Sequence, residues 1–142
     1  MIETKATREL RIEKSKHTFY EKLKRGDPLP ELKGKDMAFL FAIAFAYGVH
    51  NKKRKKLGPS TIGSITKNAL DKNFEYLIKA VAISEEGVDV IPDEKRVYVI
   101  AEEYANGGIE IIQKIIGEIE PGLFQKTMEM EITKITKKKN KN

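Results

Sequence analysis

The chain has no cysteine and no tryptophan, only two histidines, and no apolar run longer than 11 residues. Each absence excludes something. Without cysteine there is no disulfide, no thiolate zinc site and no thiol nucleophile. With His17 and His50 as the only imidazoles, a two-histidine metal site would have to draw both from distant parts of the chain. A membrane span needs about 20 apolar residues, so the run Met37 to Tyr47 reads as a core helix and no membrane contact is expected. Residues 1–36 contain no apolar stretch of the signal-peptide kind, which predicts a cytoplasmic protein. The composition, 34% charged and dominated by Lys and Glu, resembles that of thermophile proteins.

What is present is concentrated in one junction. The run Met37-Ala-Phe-Leu-Phe-Ala-Ile-Ala-Phe-Ala-Tyr47 passes through Gly48-Val49-His50-Asn51 into five successive cations, Lys52, Lys53, Arg54, Lys55 and Lys56. A helix apolar all round must be buried all round. Five adjacent like charges cannot be buried and must face water or a polyanion. Charge is unevenly spread elsewhere too. Residues 1–50 carry +3, 51–56 carry +5, 57–133 carry −7 and 134–142 carry +5, for a net +6. Localised basic charge is the footprint of nucleic-acid contact. The candidate phosphate contacts are therefore the loop cations and Lys134, Lys137, Lys138 and Lys139 of the tail. The plain alternative is a solubilising loop and a frayed end. The loop has no interleaved aromatics to stack single-stranded bases, and no recognition helix is evident. The expected partner is double-stranded DNA, held by its phosphates without sequence readout.

At 142 residues and 40% hydrophobic, the chain should form one domain. The expected fold is mainly α: a compact bundle of about five helices around the buried Met37–Tyr47 helix, with one or two short strands. Residues 1–14 read as a partly ordered arm, 15–136 as the domain and 137–142 as a disordered basic tail. Glu9 to Glu13 alternates and permits a strand. Ser15, Asp36 and Asp93 are candidate N-caps. Gly26 and Gly48 are placed to end the first two helices. A third helix over Asp71 to Ser84 would bury Leu70, Phe74, Leu77, Ile78, Val81 and Ala82. Residues 88–91 read as extended. Gly107-Gly108 would cost roughly 2 kcal/mol relative to alanines inside a helix. A break is expected there, with a fifth helix from Ile109 to Glu118 facing Ile111, Ile112, Ile115 and Ile116 inward. A tightly packed helix crossing would explain the two glycines equally. Residues 123–136 are apolar enough to dock, and Leu123, Phe124, Met128 and Met130 form a candidate partner-binding patch.

Catalytic patterns are poor. Glu85-Glu86 and Glu102-Glu103 are adjacent pairs whose side chains point about 100° apart on a helix and do not converge. Pro92-Asp93-Glu94-Lys95 has nuclease-like residues, but contiguous at a helix start instead of on separate strands. His50 could bind a phosphate or cap the preceding helix. Tyr47 and Tyr104 read as core aromatics with hydroxyls at the rim. No enzymatic activity, cofactor or metal is expected.

Glu102-Glu103-Tyr104-Ala105-Asn106-Gly107-Gly108-Ile109-Glu110-Ile111-Ile112 resembles a segment of a small protein family associated with DNA phosphorothioation (Dnd) systems. Lys35-Asp36-Met37-Ala38-Phe39, Phe74 to Ala82 and Asp93-Glu94-Lys95-Arg96 follow the same order, so the resemblance spans roughly residues 15–118. It implies an accessory component of a DNA modification and restriction locus of the phage-defence kind. The lysine-rich tail and the alternating residues 128–132 depart from the pattern. Together with the charge map, this suggests a non-enzymatic DNA-binding or assembly subunit. The alternative is an interaction module that docks an ATPase or nuclease subunit without touching DNA.

Overall fold

In the computed structural model, residues 9–118 are described. The strand β1 (Leu10–Glu13) runs straight into helix α1 (Lys14–Lys24). Helix α2 (Met37–His50), strand β2 (Thr61–Ile65), helix α3 (Lys72–Glu86) and helix α4 (Glu94–Gly117) follow. β1 and β2 pair antiparallel, with Ile12 opposite Ile62 and Glu13 opposite Thr61. The fold is mainly α, with four helices and this small sheet among the described residues.

Three aspartates start helices. Asp36, Asp71 and Asp93 accept hydrogen bonds from the backbone N–H of Phe39, Asn73 and Arg96, and so satisfy donors that a helix start leaves open. Ser15 is not a cap: α1 begins one residue earlier, directly after β1, with Glu13 at the cap position. Residues 10 and 12, assigned by sequence to a separate arm, belong to the core, because the alternation of β1 turns Leu10 and Ile12 inward. The segment 88–91 is a short 3₁₀ turn over Val88–Val90 instead of an extended stretch. Gly87, at φ +87°, ends α3 and redirects the chain into it.

The core is built on α2 and α4. Phe41 and Phe45 of α2 stand edge-on to Phe74 of α3, and Phe45 also meets Tyr104 of α4. Tyr20, Leu23, Ile65, Ile78, Ile100 and Ile109 close around them. The expected break at Gly107-Gly108 does not occur, since α4 is one continuous helix. The reason is a backbone crossing. A Cβ on Gly108 would lie 1.7 Å from the carbonyl oxygen of Ala44, and one on Gly48 would lie 1.9 Å from that of Tyr104. Gly48 therefore lies inside α2 and does not terminate it. The two helices run antiparallel at main-chain contact, which only glycine permits.

Two inward assignments also fail. Leu77 of α3 and Ile115 of α4 are exposed, because both helices are covered on one face only. The expectation that α2 is buried on every side is likewise corrected for the described residues: Phe39 is 44% and Tyr47 41% exposed.

Candidate nucleic-acid interface

The loop from Asn51 to Ser60 connects α2 to β2 and lies across α4 as a strap. Lys52 adopts φ 53°, a left-handed turn that lets the chain leave α2 sharply. The N–H of Lys53 then donates to the Gly48 carbonyl at 2.8 Å, and that of Lys55 to the Glu103 carbonyl at 3.0 Å. Gly107 makes room for the strap, since a Cβ there would stand 2.1 Å from the Lys53 carbonyl oxygen. The last carbonyls of α2 are served by Asn51, whose amide donates to the Tyr47 carbonyl at 2.8 Å. His50, the residue considered for that role, is exposed beside it.

Side chains fasten the strap at two places. The Arg54 guanidinium donates to Glu103 at 2.7 Å and to Glu85 at 2.9 Å, tying α4 to α3. Tyr104 donates its hydroxyl to the other oxygen of Glu85 at 2.9 Å. Further along, Lys53 and Lys55 both reach Glu110. Beneath them lies a buried polar hub. The Lys16 ammonium donates to Asn106 at 2.6 Å and to Glu110 at 2.9 Å, and pairs with Glu13 at 3.2 Å. The Asn106 amide donates to Glu13 at 3.1 Å and to the Lys55 carbonyl at 3.2 Å. Glu13 also accepts from the Gly58 N–H at 2.8 Å. The hub so joins β1, α1, the strap and α4. A buried ammonium is tolerable only with this many acceptors.

Tyr104-Ala-Asn-Gly-Gly108 thus has a physical meaning: Tyr104 and Asn106 bond the strap's surroundings, Gly107 clears its backbone and Gly108 seats α2. Glu102, also buried, accepts from the Arg11 N–H at 2.7 Å and holds β1. The acidic pairs at 85–86 and 102–103 are engaged in structure as well, with Glu86 gripping Arg96. Among the described residues, no cluster of His, Asp or Glu has the arrangement of a metal site, and no helix is long and apolar enough to cross a membrane.

The five loop cations are therefore not equivalent. Arg54 is half-buried and committed to two carboxylates. Lys53 and Lys55 keep 44% and 49% of their side chains exposed while sharing one carboxylate with Lys16. Lys52 and Lys56 are exposed. Exposed lysine pairs of this kind contribute only about 0–1 kcal/mol. Lys134, Lys137, Lys138 and Lys139, and Leu123, Phe124, Met128 and Met130, lie outside the described residues. Sequence reasoning missed Glu13, Lys16, Asn106 and Glu110, whose pairing depends on residues up to 94 positions apart.

Burial opposes the charge of Glu110, but hydrogen bonds from Lys55, Lys16 and Lys53 outweigh it and hold its pKa at about 2. Glu13 is lowered as well: burial works against it, and the Gly58 N–H, Asn106 and Lys16 prevail. A folded-state pKa below the unfolded value gives stability that is complete above the unfolded pKa and is lost as pH falls through the folded one. For Glu110 that window runs from the ordinary value of 4.5 down to about 2. Glu110→Gln should cost about 2 kcal/mol at neutral pH. It should also flatten the fall of melting temperature across that window. Thermal melts of both proteins over the acid range check this; parallel pH profiles would contradict it.

The geometry defines a small helical domain whose basic strap is clasped by one glycine-containing helix. The chain belongs to the family described as DNA sulphur modification system-associated protein 4, whose model matches residues 9–142. No curated protein and no solved structure matches the chain. The resemblance to a family associated with DNA phosphorothioation systems is thereby confirmed, and the match extends beyond residues 15–118 to take in residues 128–132 and the lysine-rich tail, which read as departures from the pattern in the sequence alone.

Proposed function

We propose that this protein is a non-enzymatic DNA-contacting and assembly subunit of a DNA sulphur modification system. Lys52, Lys53, Lys55 and Lys56 meet duplex phosphates, and Arg54 holds the strap that carries them. One observation supports this above the others. The strap is anchored through its backbone and its arginine, yet its four lysines stay exposed, with Glu110 as the carboxylate that Lys53 and Lys55 share. A rigid display lowers the ordering cost of binding, and a phosphate can take over the outer contacts of Lys53 and Lys55 while Lys16 stays paired with Glu110. The non-enzymatic part of the reading draws on the acidic pairs, which serve as structural anchors.

The test is the salt dependence of duplex affinity. Each phosphate contact contributes about −0.9 to the slope of log affinity against log salt. Four lysines should give a slope of roughly −3 to −4 for any duplex sequence. A slope near zero would refute the reading.

A second reading is docking of an ATPase or nuclease subunit of the same system. The exposed Tyr76 and Leu77, adjacent on the outer face of α3, favour it. Under it, Tyr76→Ser with Leu77→Ser abolishes co-purification with the system's other subunits and leaves duplex affinity unchanged; retained co-purification would count against it.

A further inference from the structure

Helix α1 buries Lys16, Tyr20 and Leu23 along one side. On the other side Lys14, Ser15, Thr18, Lys22 and Arg25 recur at helical spacing. All five are exposed, and none is apolar or acidic. Among the described residues, Lys14, Lys22 and Arg25 form no ion pair. The strap differs in this respect, since Arg54 is committed to two carboxylates and Lys53 and Lys55 share Glu110.

The fold accounts for only part of this charge. Lys22 and Arg25 lie at the C-terminal end of α1, where cations complement the helix dipole. Lys14 stands in the first turn, which holds no acidic residue, and a cation at that end opposes the dipole. Lys16 in the same turn is offset by the acceptors of the polar hub. No described carboxylate offsets Lys14.

The face also joins the strap. The Lys14 N–H donates to the carbonyl of Ser60, the last strap residue, at 3.0 Å. At the far end of α1 the connector folds back. The Gly34 N–H donates to the Lys24 carbonyl at 3.0 Å, and a Cβ on Gly26 would stand 2.9 Å from the Cβ of Lys33. The exposed Lys33 is thereby brought to the Arg25 end. Lys14 to Arg25 spans about 16 Å of helix axis, a length over which a duplex carries on the order of ten charges. Residues 14–35 hold seven cations and three carboxylates, whereas residues 71–118 hold five and eleven. A polyanion at the strap is drawn toward α1 and away from α3.

We propose that the outer face of α1, with Lys33 at its end, is a second phosphate-contacting surface joined to the strap, so that one duplex is gripped along both. The inference rests on the duplex-contact reading given above. Lys14, Lys22 and Arg25 supply charge, and the Ser15 and Thr18 hydroxyls supply neutral donors of the kind that bond phosphate oxygens. The face has no apolar side chain to enter a lipid headgroup layer, which sets an anionic membrane aside as its partner.

The test is duplex affinity against salt for full-length proteins: native, the strap variant with its four lysines changed to Gln, and Lys14→Gln with Lys22→Gln and Arg25→Gln. Lys72→Gln with Lys79→Gln and Lys95→Gln is the control, removing the same charge from α3 and the start of α4. Three more contacts add about −2.7 to the slope, so the native slope should be roughly −6. The α1 variant should fall back to roughly −3 to −4, the strap's share. It should bind roughly tenfold more weakly at moderate salt with an unchanged melting temperature, and the control should keep the native slope. An α1 variant that superimposes on the native protein, or a control that loses as much as the α1 variant, would overturn the inference and leave the strap reading standing. Slopes near zero in every protein would overturn both. A loss in the α1 variant beside a strap variant that binds like the native protein would support the α1 contact and sink the strap reading alone.

Discussion

Gly108→Ala should lower the melting temperature by about 10 °C or prevent folding. Two terms of opposite sign decide this. Inside a helix, replacing glycine by alanine gains about 1 kcal/mol from backbone entropy. Against that, the new methyl would stand 1.7 Å from the Ala44 carbonyl oxygen and 2.7 Å from the Gly48 nitrogen, both main-chain atoms of α2. Main chain inside a helix cannot rotate aside as a side chain can. The helices must separate, and the aromatic contacts of Phe45 with Tyr104 and Phe74 separate with them. Overpacking costs typically 1–3 kcal/mol and more where nothing can yield. A net loss of about 3 kcal/mol at roughly 3 °C per kcal/mol gives the predicted shift. Gly117→Ala is the control, since a Cβ there meets nothing within 4 Å and the substitution should be neutral or slightly stabilising. Equal behaviour of the two variants would mean that α2 and α4 do not touch through their backbones.

The same glycines show where sequence reasoning stops. The cost of Gly107-Gly108 inside a helix is local and readable, and it leaves two explanations, a break or a close helix crossing, of which the second holds. Whether that cost is repaid depends on what crosses the helix, which is information held by Ala44, Gly48 and Lys53, more than 50 residues away. Local signals fared better. Asp36 and Asp93 cap their helices as expected, because capping needs only a side-chain oxygen and an N–H three residues on, whereas Ser15 falls inside α1, which follows directly on β1. The Met37–Tyr47 helix was legible from hydropathy alone, but not its open face, since uniform apolarity carries no direction. Leu77 and Ile115 were misplaced for a related reason: a stripe of six or four apolar positions is wider than the face its helix buries. In the basic loop, the charge of residues 52–56 was legible, and the division of labour within it was not. Glu85, Glu103 and Glu110 become partners only when α3 and α4 pack.

That division of labour carries the second large effect. Replacing Lys52, Lys53, Lys55 and Lys56 together by Gln should weaken duplex binding roughly tenfold to a hundredfold at moderate salt, equally for unrelated sequences. It should flatten the salt slope toward zero. Stability should change little, since the exposed ion pairs lost are worth about 0–1 kcal/mol each, and the backbone bonds of Lys53 and Lys55 remain. Arg54→Ala should do the reverse at the level of folding. It leaves Glu85 and Glu103 facing each other without the guanidinium between them, and the strap loses its side-chain anchor.

The most direct measurement is therefore duplex affinity against salt for the native protein and the four-lysine variant, with melting temperatures taken on the same samples. The account predicts a steep native slope, a shallow variant slope and nearly coincident melts. Native and variant curves that superimpose would contradict it, and would leave the strap as a purely structural clasp.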